Sequence, residues 1–186
     1  QTLHAHVLQL RHSGISMVYS SGEPLETEAY ALFAHILAAK THTGALHFFD
    51  TVSANNLPST QASLLQVPLA PEPSELSDVT INGIFSDVNE RLGTDIQALR
   101  VLGAHATDTV AVMLGAETTK LSAYVPIVSL HLVRPLSARC LVDSIPTSVK
   151  RVAVLEHSSK RTTRLPPVLV DVASAFQHVS DRQVPV

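Results

Sequence analysis

The sequence predicts an α/β protein with mostly parallel sheets and helices on both faces. Three observations predict it. Residues 14–50 read as strand, helix, strand; regular strand–helix alternation resumes from Thr109; and a proline-rich stretch from Asn55 to Ser77 separates the two regions.

The first strand is expected at Gly14 to Ser20, where Ile15 and Met17 alternate with Ser16 and Val18. Ser20-Ser21-Gly22-Glu23 then has capping-box spacing, and Pro24 stands in the first turn, where its missing N–H costs nothing. Leu25, Ala29, Leu32, Phe33 and Ile36 follow at helical spacing as one apolar stripe, and Thr43-Gly44 is the expected stop. Ala45 to Phe49, ending at Asp50, has the compact apolar character of a buried parallel strand. Together these make a βαβ unit, whose crossover is expected to be right-handed.

Pro58, Pro68, Pro71 and Pro73 break the pattern, which places the domain boundary there. The expected division is 1–54, a linker at 55–77, and a second domain at 78–186. In the second domain, Ile81, Ile84, Phe85, Val88 and Leu92 mark a helix capped by Ser77 or Asp78 and closed by Gly93. A strand at Thr109 to Leu114 leads into Gly115, followed by one or two helical turns within Glu117 to Ala123. Then come a strand at Ile127 to Val133, a short helix at Ser137 to Ile145 and a strand at Arg151 to Leu155. An apolar run, Val168 to Val170, leads into a final helix through Phe176.

Composition narrows the function classes. Hydrophobic residues make up 45% of the 186 and charged residues 16%, which argues for packed segments over disorder. A net charge of −3 supplies no basic field, so neither nucleic acid nor an anionic membrane is an expected partner. No apolar run approaches the ~20 residues of a membrane span. Cys140, the single cysteine, excludes an internal disulfide and a cysteine-ligated iron–sulfur cluster, and fits a reducing, cytoplasmic setting. The chain opens at Gln1 without a signal-like segment, as expected of a processed chain or a fragment.

No catalytic, cofactor-binding or metal residue can be named from the pattern. The ten histidines are His4, His6, His12, His35, His42, His47, His105, His131, His157 and His178. Only His4 and His6 are near enough in sequence to share a strand face, and no HExxH spacing accompanies them. His47, inside an apolar strand, is expected to be a hydrogen-bonded core residue. Leu114-Gly115-Ala116-Glu117 holds one glycine and an acid that would repel phosphate, so it reads as a tight βα turn. The dinucleotide fingerprint is absent. Cys140 follows Arg139 on an apolar helix, where a thiol is ordinarily packed. Asp50, at a strand end, occupies a position typical of ligand-contacting residues in open sheets.

Several strings, taken in order, resemble the pyruvate:ferredoxin oxidoreductase family. They are His35-Ile36-Leu37-Ala38-Ala39, His47-Phe48-Phe49-Asp50, Gly103-Ala104-His105-Ala106-Thr107-Asp108, Val112-Met113-Leu114-Gly115-Ala116-Glu117, Arg134-Pro135-Leu136-Ser137 and Ser148 through Glu156. The family counterparts include His-Phe-Phe-Asp-Gly, Met-Gly-Ser-Gly-Ala-Glu and Arg-Pro-Phe-Ser, and the likeness spans most of residues 12 to 176. It implies the end of a thiamine-diphosphate pyrimidine-binding-type domain followed by a transketolase C-terminal-like domain. Departures stand at Thr51, where the family has Gly, at His157, where it has Arg, and at Gly115 to Pro126, a shorter crossover than the family's.

Within that family the pattern is similar to the amino-terminal region of sulfite reductase NADPH flavoprotein alpha components. This implies a non-catalytic assembly module in an oligomer of oxidoreductase subunits. FAD, FMN and NADPH would then be bound elsewhere in the parent protein. The alternative is a piece of a 2-oxoacid:ferredoxin oxidoreductase that uses thiamine diphosphate and iron–sulfur clusters.

Overall fold

The computed structural model describes residues 3–50, 67–68, 70–103, 107–115, 118–156 and 166–179. In chain order, the elements are α1 (Leu3–Val7), a 3-10 turn (Leu8–His12), β1 (Ser16–Ser20), α2 (Pro24–Thr41), β2 (Ala45–Phe49) and α3 (Asp78–Leu92). There follow β3 (Leu99–Leu102), β4 (Thr109–Leu114), α4 (Thr118–Leu121), β5 (Ile127–Leu130), β6 (Leu132–Arg134), α5 (Ala138–Asp143), β7 (Arg151–Glu156) and α6 (Pro167–Val179). They form two compact units, one of residues 13–97 with 132–135, the other of residues 1–12, 98–131 and 136–186.

The unit of residues 13–97 carries a three-stranded sheet in the order β2-β1-β6. β1 and β2 run parallel, with Ser16 opposite Ala45 through Ser20 opposite Phe49, and α2 is their crossover. The expected βαβ unit is present, but its punctuation lies elsewhere. The N-cap is Glu23, whose carboxylate accepts the Glu26 N–H at 2.8 Å, while Glu26 accepts the Ser21 N–H at 2.7 Å. The cap therefore stands three residues later than Ser20, and Pro24 falls at the first helical position.

The helix ends at Thr41, and His42, not Gly44, adopts the left-handed conformation (φ 53°). Its ring is held by the Ala70 carbonyl at 2.8 Å, and such an anchor offsets the steric cost a non-glycine residue meets there. The Ala70 and Ser74 N–H groups bond the Ala39 and Lys40 carbonyls, which have no partner within the helix itself. The start of the proline-rich stretch, residues 55–66, lies outside the described residues.

Ala29, Leu32, Phe33 and Ile36 of the expected stripe are buried, whereas Leu25, in the first turn, is exposed. Phe33 stacks on Phe85 of α3 at 4.0 Å between centroids, and Tyr30 meets Phe85 edge-on. Through these contacts α3 belongs to the first unit, although the sequence placed it in the second domain. Its caps are as expected: Ser77 accepts from Thr80, and Gly93 closes the helix at φ 64°.

The second unit holds a four-stranded sheet in the order β3-β5-β4-β7. β5, β4 and β7 are parallel, and β3 is antiparallel to β5. β6 is likewise antiparallel to β1, so both sheets are mixed: the four-stranded one is mostly parallel with one antiparallel edge strand, and the three-stranded one has one parallel and one antiparallel pair. The expected strand Ile127 to Val133 splits at His131, whose N–H still bonds Ala98 while Leu132 pairs with Val18.

β4 is buried from Val110 to Leu114. On one face, Ala111, Met113 and Ile127 pack with Leu121 and Val125 of the short β4–β5 crossover. β7 buries Val152 toward α6 and exposes Arg151, Ala153 and Leu155 on the opposite face. α5 packs against α6. The final helix begins at Pro167, so Val168 to Val170 are part of it. Among the described residues, no helix is long and apolar enough to cross a membrane.

Candidate functional site

In open α/β sheets ligands bind at the carboxyl ends of parallel strands, and each unit has such an edge. In the first unit, β1 ends at Tyr19-Ser20 and β2 at Phe49, with Asp50 next. Alternation along the strands sends Ser20 and Tyr19 to opposite faces. The register sets Val18 beside His47 and Tyr19 beside Phe48, so Ser20 shares a face with His47.

Ser20 Oγ lies 2.9 Å from His47 Nε2 and donates to Thr27 Oγ1 of α2 at 3.3 Å. Burial holds the His47 imidazole below its ordinary value of 6.5, which favours the neutral ring. A hydroxyl beside a neutral imidazole resembles a nucleophile with its base, but Ser20 is 0% exposed and no approaching carbonyl could reach it. The Ser20–His47 pair is thus closed on itself.

On the other face, the Tyr19 hydroxyl donates to Asp50 Oδ2 at 2.7 Å, and the Tyr19 ring lies 5.5 Å from that of Phe48. Burial, the bond to Asp50 and the Asp50 and Glu26 charges push the phenol far above its ordinary range, so Tyr19 stays a donor. Asp50, the residue singled out at the strand end, is therefore occupied by a buried phenol from the neighbouring strand.

In the second unit, the corresponding edge is formed by Leu130, Leu114 and Glu156. Glu156 Oε2 accepts the Val168 and Leu169 N–H groups at 2.6 and 3.2 Å, capping the first turn of α6. Burial raises its pKa against the lowering effect of those two N–H groups; Asp171 raises it further and Arg11 lowers it. Ser129 Oγ lies 3.2 Å from Nε2 of the buried His131. At the opposite end of the sheet, Arg151 Nη2 contacts Asp108 Oδ1 at 2.8 Å and, with Thr109, holds that exposed carboxyl below its usual range.

His47 is hydrogen-bonded as expected and half-buried. His4 and His6 lie in a helix, not a strand, and diverge: His4 is buried and His6 exposed. Cys140, expected to be packed, is exposed, because α5 turns Leu141 and Val142 inward instead. Ala104-His105-Ala106, Ala116-Glu117 and His157 lie outside the described residues. No cluster of three His, Cys, Asp or Glu able to hold a metal occurs among the described residues. The sequence reading missed Glu156 as a helix cap; its partners lie more than ten residues away in sequence, so no local pattern marks it.

No family model matches the chain. Curated relatives do. The chain is 24% identical to sulfite reductase [NADPH] subunit beta of Schizosaccharomyces pombe, over 90% of its own length and 14% of the relative's. It is 22% identical to the mitochondrial pyruvate dehydrogenase [NADP(+)] of Euglena gracilis, over 97% of the chain and 13% of the relative. It is 21% identical to a probable pyruvate-flavodoxin oxidoreductase of Escherichia coli, over 93% of the chain and 19% of the relative. The chain is a distant relative of these oxidoreductases.

The chain spans less than a fifth of the length of each. The alignments run over 207, 230 and 223 positions, more than this 186-residue chain contains, so the relatives carry additional residues within the matched region. The sulfite reductase relative is a subunit beta, whereas the sequence resemblance pointed to an alpha component.

Proposed function

We propose that the chain is a structural, non-catalytic module of a larger NADPH-dependent sulfite reductase flavoprotein. The parent's FAD, FMN and NADPH would be bound outside this chain, and the module would serve oligomer assembly in the cytoplasm. In this reading the two units derive from a thiamine-diphosphate pyrimidine-binding-type domain and a transketolase C-terminal-like domain that kept their fold without the ancestral chemistry.

The observation that carries the proposal is the state of the two carboxyl edges. Ser20 is wholly buried against His47 and Thr27, Tyr19 donates to Asp50, and Glu156 caps α6. Ser20, Tyr19 and Asp50 are committed to the protein's own structure, as is Oε2 of Glu156, whose Oε1 is buried without a hydrogen-bond partner among the described residues. The match to a sulfite reductase subunit over 90% of the chain supports a sulfite reductase as the parent, although that relative is a subunit beta.

The two relatives named for pyruvate favour a second reading, a piece of a 2-oxoacid oxidoreductase using thiamine diphosphate and iron–sulfur clusters. The intact native polypeptide, purified with and without this region, separates the two. The proposal expects flavin and NADPH-dependent dye reduction to survive the deletion while the native oligomer falls apart. Loss of pyruvate-dependent acceptor reduction together with bound thiamine diphosphate would establish the second reading instead.

A further inference from the structure

We draw no further inference here: the strongest candidate, the bare face of strand β7 that exposes Arg151, Ala153 and Leu155 beside the short β4–β5 crossover, carries nothing because no feature of the structure shows what covers it.

Discussion

The two units solve the same problem, a parallel strand pair with its crossover, with very different amounts of chain. Between β1 and β2 runs an 18-residue helix that buries Ala29, Tyr30, Leu32, Phe33, Ala34, Ile36 and Leu37. Among the described residues, the connection between β4 and β5 contains one four-residue helical turn, and its hydrophobic residues Leu121 and Val125 pack on the sheet. A parallel connection needs at least about 10–12 residues, so the second crossover is near the minimum. The contrast teaches that joining two parallel strands and covering their sheet are separate demands. The long crossover meets both, whereas the short one joins the strands and leaves one face of β7 open to solvent.

Truncating the long crossover should produce the largest effect. Phe33→Ala removes a fully buried ring stacked on Phe85 and is expected to cost about 3–5 kcal/mol in urea-induced unfolding. Ser20→Ala, which leaves the His47 ring without its hydroxyl partner, should cost about 1–3 kcal/mol by the same measurement. In the short crossover, Leu121→Ala should cost about 1–2 kcal/mol, because Leu121 is only partly buried. If Leu121→Ala proved as damaging as Phe33→Ala, the contrast between the crossovers would collapse.

Proton linkage sharpens the comparison, because the units carry groups of opposite sign. The His47 pKa is lowered on folding, so its contribution is intact above the unfolded value of 6.5 and is lost as pH falls through the folded value. The Glu156 pKa is raised on folding, so its contribution is full below the unfolded value of 4.5 and is lost as pH rises through the folded value. Denaturation midpoints measured from pH 4 to 8 should therefore show His47→Gln flattening the fall in stability below pH 6.5. Glu156→Gln should remove a fall that begins above pH 4.5 on the alkaline side. Unchanged profiles in both variants would contradict these assignments.

The smallest expected effect is a gain. Gly83 lies inside α3 with open space where a Cβ would stand. Gly83→Ala should raise stability by about 0.5–1 kcal/mol in thermal unfolding, through helix propensity alone.

These contrasts also explain what could be read in advance. The long βαβ unit was legible because its strands, its apolar stripe and Pro24 are local signals. The helix of residues 78–92 was legible down to its Ser77 and Gly93 caps, but not its allegiance. That is decided by Phe85 meeting Phe33, a contact between distant parts of the chain. β3 escaped notice because Leu99–Leu102 is short, carries the exposed Arg100 and gains its identity by pairing with β5. The candidate edges were partly legible: Asp50 and His47 stood out, but Tyr19 as the partner of Asp50 follows only from the strand register.

The split at His131 has a consequence for how the chain is made. The first unit assembles β1, β2 and two helices from residues 13–97, yet its third strand is Leu132–Arg134. On a ribosome, β1 must wait with one edge unpaired until residue 134 has emerged. By then β3, β4 and β5 of the second unit have already been synthesised. Vectorial synthesis cannot complete the units one after the other, and exposed strand edges are what make nascent intermediates prone to aggregate. A nascent chain stalled before residue 132 would be left with that edge open.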